Sequence, residues 1–78
     1  MPKLPHPPAE KLIKLLTNNG FEVVGRKGSH IRLKKKTDQG TYITIVPYHK
    51  EMAPGTLLNI IRKSGIDKET FLKMLEEM

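Results

Sequence analysis

Residues 25–36 read Gly25-Arg26-Lys27-Gly28-Ser29-His30-Ile31-Arg32-Leu33-Lys34-Lys35-Lys36. From His30 to Lys34 polar and apolar side chains alternate. A period of two sends Ile31 and Leu33 to one face of a strand and His30, Arg32 and Lys34 to the other. One face belongs to a core; the other is a row of cations that begins with a titratable imidazole. The flanking acids are Glu22 and Asp38, so nothing within the segment neutralises its six Lys and Arg side chains. Charge concentrated in this way calls for an anionic partner.

Upstream, Phe21-Glu22-Val23-Val24 is short, β-branched and aromatic and reads as a strand, with Gly25 and Lys27-Gly28 supplying the turn chemistry of a hairpin. Downstream, the loop Lys36-Thr37-Asp38-Gln39-Gly40 leads into the strand Thr41-Tyr42-Ile43-Thr44-Ile45-Val46. Setting Lys35 opposite Thr41 pairs Leu33 with Ile43 and Ile31 with Ile45, so the apolar faces agree. The same register puts Lys34 near Tyr42, Arg32 near Thr44 and His30 near Val46, and leaves the far face of the sheet polar and basic. Pro47 ends the strand because it has no N–H to give to the ladder.

Helical spacing brackets these strands. Ala9, Leu12, Ile13 and Leu16, widened by Leu15, form an amphipathic stripe that Asn18, Asn19 and Gly20 terminate. Pro54 stands at a second helix start, Leu57, Leu58, Ile60 and Ile61 supply its apolar face, and Gly65 caps it after Ser64. Asp67 is the N-cap of a short C-terminal helix, with Ile66 stapled to Phe71 and an apolar side continued by Leu72, Leu75 and Met78. The order α-β-β-β-α, plus that extra helix, predicts an α+β two-layer sandwich: a three-stranded antiparallel meander with its helices on one face. Residues 1–8, rich in proline, read as an extended tail and residues 9–78 as a single domain. His6 lies in that tail and has no expected role.

At 78 residues the chain is near the lower size at which one core suffices, burying only about 60% of its unfolded surface. It has no cysteine, which excludes disulfides and thiolate metal sites and fits a reducing compartment. No run of about 18 apolar residues appears and the start lacks a signal-peptide core, so the expected location is cytoplasmic and soluble, without a membrane partner. The net charge is +6, and five of the eight carboxylates lie from Glu51 onward, so the middle of the chain is strongly basic. A basic patch of this kind points to nucleic acid before acidic protein or membrane. The plain alternative is a solvated cationic surface.

Ser29 and His30 are adjacent, so on a strand they point to opposite faces and cannot act as a nucleophile–base pair. His6, His30 and His49 lack metal-ligand spacing. Glu22, Asp38 and Glu51 are too few and too scattered for a two-metal nuclease. Gly25 and Gly28 precede a strand rather than a helix, so they do not form a phosphate loop. The Leu and Ile stripes are core and contain no cofactor box; Tyr42 and Tyr48 read as packing residues before base-stacking ones.

A metal-free, cofactor-free reaction remains. RNA carries its own nucleophile, the 2′-OH, and needs from a protein only a proton acceptor or donor and cations around the phosphorus. An imidazole titrates near neutrality, which suits that task. From the residues alone, His30 reads equally as the proton-transfer group and as a plain phosphate contact. The corresponding alternatives are a noncatalytic RNA-binding module of the same fold and a protein-interaction module with an acidic partner. His49 reads as a loop residue, with a supporting proton-transfer role as its other option.

Lys11 through Leu16, Asn19-Gly20-Phe21, Arg26 with Gly28-Ser29-His30, Val46-Pro47 with His49, and Pro54-Gly55-Thr56-Leu57 leading to Ile60-Ile61-Arg62-Lys63-Ser64-Gly65-Ile66 resemble the HicA toxin family of toxin–antitoxin modules. The resemblance covers nearly the whole chain after the prolines. It implies a double-stranded-RNA-binding-like fold, a ribosome-independent mRNA endoribonuclease activity and a HicB-like antitoxin partner that blocks it. The family's catalytic histidine falls on His30 and its supporting glycine on Gly28, where a residue without Cβ allows a tight turn. His49 matches a recurrent family position. Arg26, Lys27, Gly28, Ser29, Arg32 and Lys34 are then the expected RNA-binding residues. The Pro-rich start and the Asp67–Met78 helix depart from a plain family member and leave room for an oligomer in the antitoxin complex.

Overall fold

The apolar spacings become six elements in the computed structural model, which describes residues 4–78. In order they are α1 (Ala9–Asn18), β1 (Glu22–Lys27), β2 (His30–Thr37), β3 (Gly40–Pro47), α2 (Pro54–Ser64) and α3 (Lys68–Glu76). The strands form an antiparallel meander in the order β1-β2-β3. Met1, Pro2 and Lys3 of the expected tail lie outside the described residues. From Leu4 to Pro8 the chain forms neither helix nor strand. It is held to the loop before α2, where Met52 N–H donates to the Pro7 carbonyl at 3.0 Å and His6 Nδ1 lies 3.2 Å from the Met52 carbonyl.

α1 buries Ala9, Leu12, Leu15 and Leu16, with Ile13 at the margin of the core. It stops where Asn19 Nδ2 donates to the Leu15 carbonyl at 2.7 Å, satisfying one of the acceptors a helix end leaves free. α2 buries Leu57, Ile60 and Ile61; Leu58, expected on the same face, is turned outward and 38% exposed. Asp67 caps α3 by accepting from Thr70 N–H at 3.3 Å, as its sequence predicts. Leu12, Leu16, Leu33, Met52, Leu57 and Phe71 are fully buried. Such burial contributes ~1.5–3 kcal/mol per side chain. All three helices therefore pack on the side of the sheet that carries Ile31, Leu33 and Val46, and the opposite side stays uncovered.

The strands correct the sequence reading in two places. β1 does not stop at Val24. It runs to Lys27, and the turn is the two-residue Gly28-Ser29 between paired Lys27 and His30. Gly28 has φ +60° and Ser29 does not have a positive φ, the combination of a type II′ hairpin with glycine first. The second correction is the register of β2 on β3, which is displaced by one residue: Ile31 opposes Val46, Leu33 opposes Thr44, Arg32 opposes Ile45 and Lys34 opposes Ile43. The Asp38-Gln39 turn decides this. Thr37 pairs with Gly40, and its hydroxyl accepts from Gln39 N–H at 3.2 Å and donates to the Gly40 carbonyl at 3.0 Å.

Turn geometry sets hairpin register, and a one-residue slip exchanges the faces. Thr44 is thus buried, and its hydroxyl has no hydrogen-bond partner among the described residues. Ile43 and Ile45 instead face out, 47% and 45% exposed. The uncovered face is basic and apolar together, not the purely polar surface expected.

Candidate nucleic-acid interface

β2 supplies the row. His30 is its first residue, with Lys27 of β1 on one side and Pro47 of β3 on the other; Arg32 stands between Gly25 and Ile45, and Lys34 between Glu22 and Ile43. Alternation puts His30, Arg32 and Lys34 on the uncovered face because Ile31 and Leu33 are taken up by the core. His30 and Arg32 are exposed and Lys34 is partly buried. Lys27 shares the rung of His30, so a cation flanks the imidazole on β1.

The expected site residues divide among three hollows. His30, Arg26, Lys27 and Arg32 line one together with Gly25 and Ile45. Lys34 lines a neighbouring one with Glu22, Val24 and Lys36. His49 lines a third, with Pro8, Glu10 and Tyr48, and is not brought into the hollow of His30. Its main chain is engaged, donating to the Pro47 carbonyl and accepting from Ala9 N–H, each at 2.9 Å, while the residue is exposed. Gly28 and Ser29 form the exposed turn between β1 and β2.

Tyr48, and through it Glu10, support that turn, and the sequence reading placed neither at the site. Tyr48 N–H donates to the Ser29 carbonyl at 2.6 Å, and the Arg26 guanidinium lies over the Tyr48 ring, 5.8 Å from its centroid. Arg26 Nε also donates to the Gly28 carbonyl at 3.4 Å. The Tyr48 hydroxyl donates to Glu10 Oε1 at 2.5 Å. This bond, with some desolvation and the Glu10 charge, raises the Tyr48 phenol above its ordinary range, against the pull of Arg26. The first turn of α1 is thereby linked through Tyr48 and Arg26 to the turn that precedes His30. A signal existed in the sequence, since Tyr48 directly follows the proline that ends β3, but it becomes legible only once His30 is known to pair with Pro47.

Among the described residues no three His, Asp or Glu side chains are grouped closely enough to hold a metal ion. Nor is any helix among the described residues long and apolar enough to cross a membrane. What the uncovered face can do is bind a polyanion along β2 while presenting an imidazole beside two cations.

Among known families, the model described as HicA toxin of bacterial toxin–antitoxin matches residues 9–66. That span runs from α1 to just past α2 and includes every residue of the cationic row, whereas α3 lies beyond it. No curated protein matches the chain.

Proposed function

The chain belongs to the HicA toxin family of bacterial toxin–antitoxin systems, and on that premise we propose that it is a metal-independent endoribonuclease acting on mRNA, with His30 as its proton-transfer residue. One observation carries the reading. Within the family-matched span, His30 is exposed on the uncovered face and shares a single hollow with Lys27 and Arg32.

In the proposed reaction the 2′-OH of the nucleotide on the 5′ side attacks the adjacent phosphorus while its proton passes to the His30 imidazole. The O–P bond forms as the P–O5′ bond breaks, the departing 5′ oxygen takes a proton from water, and the His30 imidazolium returns its proton to solvent. The products are a 2′,3′-cyclic phosphate and a 5′-hydroxyl. Extra negative charge develops on the phosphorane oxygens, where Lys27 and Arg32 stabilise it. Lys34 holds a phosphate farther along β2, and Gly28 and Ser29 offer donors at the turn. The family implies a cognate antitoxin; that it is HicB-like and blocks RNA cleavage in the cytoplasm belongs to this proposal.

A labelled oligonucleotide with and without a single 2′-deoxy substitution at the cut site tests the mechanism. Cleavage persists in excess EDTA and disappears on deoxy substitution while binding is retained. His30→Ala, shown by circular dichroism to be folded, loses about 10²- to 10⁴-fold in kcat/KM, the usual contribution of a general base or acid. Cutting of the deoxy strand, or loss in EDTA restored by a divalent ion, overturns the mechanism. RNA binding with no cleavage by the unmodified protein identifies a noncatalytic RNA-binding module instead.

A further inference from the structure

Gly25 pairs with Arg32, and Arg32 pairs with Ile45, so these three positions form one rung of the uncovered face. The rung exists because of an irregularity in β1. Near Val23 the pairing with β2 would set Val24 opposite Arg32, but the Gly28-Ser29 turn imposes a register one residue different, and the shift between Val23 and Gly25 absorbs the mismatch. The bulge therefore replaces a valine by a glycine beside Arg32. A hollow of about 330 Å³ results, lined by Gly25, Arg26, Lys27, His30, Arg32 and Ile45.

Its lining holds three cations, an imidazole, one apolar side chain and no carboxylate, which matches an anionic occupant with a flat apolar part. Apart from the His30 imidazole, which the cleavage reading assigns to proton transfer, no aromatic side chain lines this hollow. Tyr42 is the single Phe, Tyr or Trp of the three strands, and its ring lies toward the helices, against Gly65. Unpaired bases that lack an aromatic partner stack on guanidinium planes. We infer that the hollow over Gly25 is a base subsite for single-stranded RNA, seating the nucleobase next to the scissile phosphate between the Arg32 guanidinium and Ile45. The inference rests on the RNA-cleaving reading of this face and specifies how the substrate is held there.

Gly25 can be changed without touching the fold. Its φ is not positive, and a Cβ built on it meets nothing within 4 Å. Glycine inside a strand is itself weakening, so Gly25→Leu keeps or raises the melting temperature while its side chain fills the hollow. In a His30→Ala background, which prevents turnover, Gly25→Leu weakens binding of a single-stranded RNA oligonucleotide about 10-fold, the scale of one lost base stack. Gly25→Ala has a smaller effect. An oligonucleotide abasic at the nucleotide flanking the cut site loses a similar factor against the Gly25 parent, and the two losses do not add.

Undiminished binding of intact RNA by Gly25→Leu overturns the subsite, as do additive losses or an effect confined to binding of an acidic protein partner. If the graded, non-additive losses appear but the chain with His30 intact cuts no RNA, the subsite stands and the catalytic reading falls. Normal cleavage with no response to Gly25→Leu gives the converse. Absence of RNA binding by the parent overturns both.

Discussion

Tyr48 is the residue at which the first turn of α1, the end of β3 and the β1–β2 turn meet, and its phenol can report on that junction. The raised position of the phenol comes first from the hydrogen bond to Glu10 and is reinforced by the Glu10 charge. The bond favours the protonated phenol. Its stabilisation is therefore complete below the ordinary value of 10.0 and is lost as the pH climbs through the raised one. With Tyr42→Phe leaving a single tyrosine, phenolate absorbance should titrate at lower pH once Glu10→Gln is added. An unmoved midpoint would mean that the bond does not form in solution. The bond to Glu10 had no signal in the sequence, because Glu10 and Tyr48 are 38 residues apart with no local pattern joining them. His30, Arg32 and Lys34 were legible for the opposite reason: five alternating residues suffice to separate a core face from a cationic one.

At the scale of elements, periodicity named every helix and strand, and a turn decided what periodicity could not. Leu33 could face Ile43 or Thr44 with equal regularity of pattern. The pairing of Thr37 with Gly40 selects Thr44, although this buries a hydroxyl and exposes Ile43 and Ile45. Turn chemistry was also hidden in β1, where two glycines competed for one hairpin; Gly28 takes the positive φ and Gly25 becomes the empty place in a rung. The end of α2 was the clearer case. Gly65 has φ +74°, and an added Cβ there would lie 2.6 Å from Tyr42 Cε1. Gly65→Ala should cost about 1–2 kcal/mol from the backbone alone, a fall in Tm of roughly 5–15 °C for a domain of this size. Thermal unfolding followed by circular dichroism measures it, and an unchanged Tm would show that α2 ends differently. The same substitution at Gly25 is expected to leave Tm unharmed, so the two glycines separate a structural role from a binding one.

Across the whole molecule both layers carry cations, but the helices mix theirs with carboxylates while the outward side of β2 does not. β2 carries His30, Arg32, Lys34 and Lys36 outward on the uncovered side, whereas Asp67, Glu69 and Glu76 belong to the α3 end of the helix layer. Charge spread evenly would attract RNA weakly and without orientation; on the proposed reading, the row on β2 is what aligns an RNA strand on this face. Each phosphate neutralised releases condensed counterions, so affinity falls linearly with salt on logarithmic axes, with a slope of about −0.7 per contact for a single strand. Three or four contacts from Lys27, Arg32, Lys34 and Arg26 give a slope of about −2 to −3. With the His30→Ala chain and a single-stranded oligonucleotide, Lys34→Glu should flatten that slope by about 0.7 or more. Lys73→Glu, on α3, should change it little, because Debye screening at 0.15 M limits a charge in the other layer to a reach of about 8 Å. Fluorescence anisotropy titrations between low and physiological salt measure both slopes. Equal flattening by the two reversals would make the attraction a property of net charge alone, and a salt-independent affinity would move RNA off this face.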